Sequence, residues 1–308
     1  MTLADASLTA LRVFREVAER GTLTAAAAVL GYTQSAVSRQ IAALERAAGA
    51  PLLERHPSGV RLTPAGHVVL RRAVAVVAEV DAGARELAGM PDRPATVRLG
   101  WFASAGALLV PRALAALSRS HPAVTVVTRE GSTPALVRAV RAGTVDLALL
   151  ASAPPFRPPD SEAPALALRT LTERPLLLAL PAGHPLARGE GVDIVDLRGQ
   201  RWIAAPRAGE DQLMGVWPGL DERPEIVHTV RDWLAKLALV AEGFGLTTIP
   251  ASLAGAVPPG VRVLPVRGGP QEQRRLLLAR LPGPLAEPAA LLSDALRAAA
   301  VETSAPFG

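Results

Sequence analysis

Residues 33–49 run TQSAVSRQIAALERAAG. Wound at about 100° per residue from Val37, they bring Ile41, Leu44 and Ala48 within about 40° of it, so one side is apolar. Ser35, Ser38, Arg39, Ala42 and Arg46 fall between roughly 100° and 200°, on the opposite side. Small polar side chains beside two guanidinium groups are what a helix entering the major groove needs. The backbone can come close, while Ser, Gln and Arg reach base edges and phosphates. The helix start adds free N–H groups and the positive end of a dipole, both suited to phosphate. An ordinary amphipathic surface helix shares this periodicity, so the flanking sequence has to discriminate.

Upstream lie two more helical stretches. LTALRVFREVAERG repeats Leu8, Leu11, Phe14 and Ala18 at helical spacing, with Ser7 as N-cap and Gly21 as its end. TAAAAVLG, capped by Thr22 or Thr24 and closed by Gly31, has small side chains that let another helix approach. Downstream, PLLERHPSGVRLTPAG carries two short apolar segments around a Pro-Ser-Gly turn, flanked by Arg55 and Arg61. That is a hairpin pattern, and a basic hairpin beside a helix-turn-helix is a wing. The run ALRVFREVAERGTLTAAAAVLGYTQSAVSRQIAALERAAGAPLLERHPSGVRLTPAG resembles the DNA-binding domain of LysR-type transcriptional regulators over nearly all of residues 8–66. Leu53 departs from the family's usual Phe ahead of the wing Arg. The resemblance implies that Gln34, Ser35, Ser38 and Arg39 approach bases, Thr33 and Arg46 phosphates, and Arg55 and Arg61 the wing contacts.

AGHVVLRRAVAVVAEVDAGARELAG, residues 65–89, is helical with few breakers. Leu70, Ala73, Val77, Val80, Ala84 and Leu87 follow a 3-4-3-4-3 spacing, the seam of a coiled coil. Packing within one chain gives the same pattern. By resemblance, the segment 67–89 is a linker helix that pairs with a second subunit, setting two recognition helices about 34 Å apart on a near-palindromic operator. Residues 90–94, MPDRP, read as a hinge.

From residue 95 short apolar strands alternate with helical stretches, which implies a parallel sheet covered by helices. The alternation alone does not prove a double crossover; the resemblance implies it, and with it an α/β architecture with an N-terminal domain that is mainly α: a winged helix-turn-helix over 1–66, a linker helix, then a two-lobed effector domain over 95–308. That domain resembles the periplasmic-binding-protein type, with lobe 1 at about 95–169 and 267–308 and lobe 2 at about 170–266. HPAVTV, AGTVDLALL and EGFGLTTIP resemble landmarks of LysR-type effector domains. Ligands in open α/β sheets sit at the carboxyl ends of strands. That nominates Ser104, Ala105, Gly131, Ser132, Thr133 and Ser152 from lobe 1. From lobe 2 it nominates Ala205, Pro206, Arg207, Thr229, Val230, Phe244 and Gly245. By resemblance Ser104 and Ser132 are the strongest of these, as hydroxyl donors to an effector carboxylate; plain helix capping is the competing role. Arg207 is a candidate partner for an anionic effector. Trp101, Phe102 and Trp233 read as lobe core, with a ligand platform as the alternative.

Composition narrows the rest. With 49% hydrophobic and 20% charged residues the chain has material for real cores, so a disordered polyampholyte is excluded. Zero cysteines removes thiol nucleophiles, disulfides and thiolate metal sites. His56, His67, His121, His184 and His228 show no metal-ligand spacing, and no cofactor is expected. There is no P-loop, HExxH or GxSxG pattern, so an enzyme is not expected. The opening residues hold no signal-peptide core and nothing spans a bilayer, so a cytoplasmic protein without membrane contact is expected. Residues 1–66 hold seven Arg against five acidic residues, too thin a surplus for a nonspecific nucleoid-type binder. A solute-binding protein without a DNA role would need neither the recognition helix nor the wing. The partners expected are double-stranded operator DNA, a small-molecule effector, a second copy or a dimer of dimers, and RNA polymerase.

Overall fold

The computed structural model describes residues 3–57, 59–87, 95–205, 214–269 and 272–302. Helices α1 (Leu8–Arg20), α2 (Leu23–Leu30) and α3 (Gln34–Ala48) start on Ser7, Thr22 and Thr33, whose hydroxyls accept the N–H of Ala10, Ala25 and Ala36. Thr22, not Thr24, is thus the cap of α2. Each helix ends on a glycine in the left-handed region, Gly21, Gly31 and Gly49, where a Cβ would be strained. Phe14, Val17, Val37, Ile41, Leu44 and Leu52 bury one another. The buried face of α3 is completed by Ala47, with Ala48 only half-buried. Strands β1 (Leu53–His56) and β2 (Gly59–Leu62) pair antiparallel as the expected hairpin.

Helix α4 (Pro64–Leu87) corrects the dimerisation seam. Leu70, Ala73 and Val77 are at most 1% exposed within a single chain. Val69 and Leu70 pack with the α1–α3 core, and α4 lies along α1. A 3-4 stripe reads alike whether α1 or a second subunit covers it, and here α1 covers the first half. Val80 and Ala84 are exposed, while the side chain of Leu87 lies outside the described ones. The outward stripe of α4 carries Val68, Val76 and Val80, each 44–50% exposed, with Arg72, Ala75 and Glu79. Residues 90–94, read as a hinge, fall outside the described residues.

Beyond them come β3 (Thr96–Trp101), α5 (Leu109–Ser120), β4 (Thr125–Glu130), α6 (Thr133–Arg141), β5 (Leu147–Ser152) and the long β6 (Ala167–Pro181). Next are β7 (Val192–Asp193), β8 (Arg201–Ala204), β9 (Glu225–Thr229), α7 (Trp233–Ala241) and β10 (Thr247–Pro250). The chain closes with β11 (Val261–Leu264), β12 (Val266–Arg267), β13 (Gln273–Arg280) and α8 (Glu287–Glu302). The main sheet has the order β10-β6-β13-β5-β3-β4, with β11 also on β6. It is mixed rather than parallel: β3 runs parallel to β4 and β5, but β13 is antiparallel to both β5 and β6. The reason is the crossover. β6 pairs with β13 through Ala167–Pro175 and with β10 and β11 through Leu176–Pro181, so one strand serves both lobes and β13 returns beside it. Helix α8 packs with α5 in the lobe 1 core, where Leu292 and Leu296 meet Leu99 and Leu147. Trp202 and Trp217 anchor lobe 2.

The helical N-terminal domain docks on lobe 1. Ala142, just past α6, is fully buried in the same apolar cluster as Phe14 and Leu44. Glu19 of α1, 6% exposed, pairs with Arg129 of β4, and its carbonyl accepts from Arg138 of α6 at 3.2 Å. His67 of α4 meets Glu162 at 2.9 Å. Among the described residues no helix is long and apolar enough to cross a membrane, and no group of three His, Asp or Glu could hold a metal.

Candidate DNA interface and effector cleft

The Thr33 cap aims the start of α3 away from the protein, and Thr33, Gln34, Ser35, Arg39 and Arg46 are all exposed. Ser38 is half-buried. The hydroxyls of Thr33 and Ser35 lie 3.0 Å apart beside that helix start. Arg39, Arg46 and Arg55 make no ion pair among the described residues, so their charge is free for a polyanion; Arg46 only bonds its own carbonyl neighbour, Ala42, at 3.3 Å. Arg55 and Arg61 are exposed on opposite strands of the hairpin. The structure adds Val29 and Tyr32, 54% and 47% exposed, next to the start of α3. Neither is conspicuous in the sequence, because an apolar residue at a helix end normally reads as core. The signal was Tyr32, the one tyrosine of the chain, standing in a tight turn.

The carboxyl ends of β8, β9 and β10 point the same way, since β8 and β9 are parallel and Trp202 bridges in parallel to Leu246 ahead of β10. The turn after β10, Ala251–Ala256, touches the turn after β3, Ala103–Ala105, and this contact joins the lobes at the mouth of the cleft. Ser104, Ser132, Thr133, Ser152, Thr229 and Val230 all lie at strand ends or helix starts on this side. Ser132 is the N-cap of α6, yet its side chain makes no capping bond, unlike Ser7, Thr22 and Thr33. The hydroxyls of Ser104, Ser152 and Thr229 likewise have no partner among the described residues. Trp101 packs against the lobe 1 core, as expected, but its indole N–H is buried without an acceptor just ahead of Ser104.

Several nominated groups do not serve. Ala105 is buried in the lobe 1 core, and its N–H closes a turn onto the Phe102 carbonyl at 2.9 Å. The N–H groups of Gly131, Ala205 and Val230 are bound to the carbonyls of Trp101, Met214 and Ala204. Phe244 and Gly245 sit at the opposite pole of lobe 2, because they precede β10 rather than follow it. Gly245 borders a cavity of about 280 Å³ with Pro181, Arg201 and Glu225, at the starts of β8 and β9, and Phe244 rests edge-on against His228. A Cβ on Gly245 would come 2.8 Å from the Arg201 carbonyl, which accounts for the glycine. Pro206 and Arg207 fall outside the described residues.

Helix α6 joins the two regions. Ser132 stands at one end, and Arg138 and Arg141 towards the other, about 9 and 13.5 Å away at 1.5 Å per residue. Arg138 lies across Gly21, and burial with the nearby Arg129 charge holds its pKa below the ordinary guanidinium value. Arg141 forks onto Asp160 with two bonds of 2.9 Å and reaches the carbonyls of Pro164 and Glu162. Its loop thereby holds Glu162 against His67. That close contact with His67, aided by the charges of His67, Arg141 and Arg61, keeps the Glu162 carboxyl below its usual pKa despite burial.

Comparison with known proteins agrees at both ends of the chain. Residues 8–67 match the family model for the bacterial regulatory helix-turn-helix protein of the lysR family, and residues 92–301 match that for the LysR substrate binding domain. A probable hydrogen peroxide-inducible genes activator of Mycobacterium avium is 33% identical over 250 residues, covering 80% of this chain and 78% of that protein. A full-length OxyR variant from Pseudomonas aeruginosa superposes with a TM-score of 0.61 at 24% identity, over 94% of each chain. Full-length CbnR in complex with its target DNA gives 0.54 at 23% identity, over 95% of this chain and 99% of that one. With a recognition helix turned outward, a two-lobed domain behind it and both family models matched across most of its length, the chain belongs to the LysR family of transcriptional regulators.

Proposed function

We propose that this regulator grips operator DNA with α3 and the β1–β2 wing of two or four copies, and that a small anionic effector between the lobes resets how those copies meet the operator. The observation that carries the reading is α6. Ser132 at its start leaves its hydroxyl without a capping bond, and its far end bears the contacts that hold the N-terminal domain. An effector that binds one setting of the lobes more tightly than the other shifts the population of docked domains; one that binds both equally changes nothing. Contact with RNA polymerase belongs to this reading, as does the absence of a catalytic step. With no cysteine, the chain offers no thiol for reaction with a peroxide.

Arg39→Ala is expected to lose about 1–3 kcal/mol of operator binding and to relax base preference at one position, if Arg39 reads a base edge. Competition footprinting on a set of single-base operator variants checks this, and uniform weakening on every variant would demote Arg39 to a phosphate contact. Excess unrelated DNA separates this regulator from a nonspecific binder. On the effector side, a thermal-shift screen of small metabolites repeated on Ser104→Ala and Ser132→Ala tests the cleft, since a ligand stabilises the fold it binds in proportion to occupancy.

The dimer contact moves to the outward stripe of α4. Arg72 and Glu79, about two turns apart on that stripe, can pair crosswise when two such helices meet antiparallel over Val76. Val76→Asp is expected to shift the free protein towards monomer and to weaken operator binding. Light scattering reads the first effect, and an unchanged oligomer would remove the stripe from the interface.

A further inference from the structure

Of 33 basic residues, Lys236 is the one lysine, and it is 1% exposed. Lys236 is the fourth residue of α7, and its Nζ lies 4.7 Å from the ring centroid of Trp233, the first. Side chains on a helix lean towards its N-terminus, so the ammonium sits at the start of α7. That start follows the carboxyl end of β9, on the side of lobe 2 that faces lobe 1. Among the described residues no carboxylate answers it. Asp232 is exposed and spends its Oδ1 on the N–H of Ala235 at 2.7 Å, and Glu173 on the adjacent β6 is held by Arg275 at 2.7 Å. The other strands packed on α7 bring Arg201 and Arg262. Among the described residues Nζ makes no hydrogen bond or ion pair, and burial alone lowers its pKa to about 8.

A buried ammonium costs free energy unless it is paired. Here it stands with two further attractions for an anion: the positive end of α7, and the N–H groups of Trp233 and Leu234, which have no partner among the described residues. Its neighbours Trp233 and Leu237 belong to an apolar cluster with Ala179, Ile249 and Leu253. We infer that Lys236 and the start of α7 form the lobe 2 half of the effector site, taking the carboxylate of a small organic acid whose hydrocarbon part lies on Trp233. This rests on the cleft reading above, in which Ser104 and Ser132 supply the lobe 1 half. Inorganic anions lack the apolar body that this surface would cover.

One lysine per chain makes the test direct. Full-length protein grown on lysine labelled at Cε and Nζ gives one side-chain resonance, and it is followed while acetate, succinate and benzoate are added, with acetamide and benzamide as neutral controls. The expected result is a shift with at least one carboxylate and none with the amides, together with a rise in the apparent Lys236 pKa. Lys236→Met, which removes the charge at similar bulk, is expected to lose at least tenfold in affinity for that acid, and Lys236→Arg to recover part of it. A carboxylate that binds with dependence on Ser132 but leaves the Lys236 signal and the Lys236→Met affinity unchanged overturns the assignment while sparing the cleft. No shift with any of the acids, or an equal shift with sulfate or chloride, overturns it as well. Unaltered binding in Ser104→Ala, Ser132→Ala and Lys236→Met alike would instead remove the cleft reading beneath it.

Discussion

Arg141→Ala is expected to destabilise the fold by about 3–5 kcal/mol, the range seen when one partner is removed from a buried ion pair. The side chain of Arg141 is 4% exposed, and it satisfies both oxygens of Asp160 as well as two carbonyls of the 160–164 segment. Truncation strands all of these where water has little access. The midpoint of urea unfolding should fall with an unchanged slope. A loss under 1 kcal/mol, the size of a surface pair, would mean that water replaces the guanidinium. Arg141→Lys should recover little, because an ammonium cannot fork onto a carboxylate. A second effect follows from Glu162, which the same loop presents to His67: the N-terminal domain should undock more often, and proteolysis between the domains should quicken. The Glu162 part of this has a defined pH sign. Its folded pKa is depressed, so its contribution is present above the unfolded value and fades as pH falls through the lower, folded one. Wild type and Glu162→Gln should therefore converge in acid.

The N-terminal domain was legible because its signals are local. Ser7, Thr33, Gly21 and Gly49 mark helix ends by the chemistry of a single hydroxyl or a missing Cβ, and those rules survive folding. The outward face of α3 follows from spacing alone once Val37 is buried. What failed needed knowledge of a neighbour. The apolar stripe of α4 shows that something covers Leu70 and Val77 but not that α1 does so. Strand direction is likewise absent from an apolar pattern, and so the return of β13 against β5 could not be read from LLLAR.

At the strand ends of the two lobes, side-chain hydroxyls stay open where backbone groups do not. Ser104, Ser132, Ser152 and Thr229 stand at strand ends with open hydroxyls, whereas the N–H groups of Ala105, Gly131, Ala205 and Val230 are consumed by turn and strand bonds. No periodicity announces which amide closes a turn. Phe244 and Gly245 were misplaced by a step that the strand-end rule itself forbids, since they lead into β10 and so lie at its amino end. Lys236 escaped notice as a site because a lysine within LAKLALVA reads as an exposed position on an amphipathic helix; its burial appears only when β6, β8 and β11 are laid against α7.

That burial makes the stability of Lys236→Met the other large effect to expect. A pKa of about 8 in the fold against 10.5 for a free lysine corresponds to about 3.5 kcal/mol working against the folded state at neutral pH, at roughly 1.4 kcal/mol per unit. Methionine fills a similar volume without the charge, so the substitution should stabilise the ligand-free protein by about that amount at pH 7. The sign with pH runs opposite to that of a salt bridge. The folded pKa lies below the unfolded one, so the penalty is complete below about pH 8 and shrinks as pH rises through the window up to 10.5. Urea unfolding of wild type and Lys236→Met, compared at pH 7 and again near the top of that window, cancels the titration of every other group. The gain should be large at the first and nearly gone at the second. A gain that ignores pH would reflect packing alone, and no gain at pH 7 would mean that Nζ is already solvated or paired. A saturating carboxylate bound at the start of α7 should reduce the advantage of methionine at pH 7, because the anion then stabilises the charge that burial penalises.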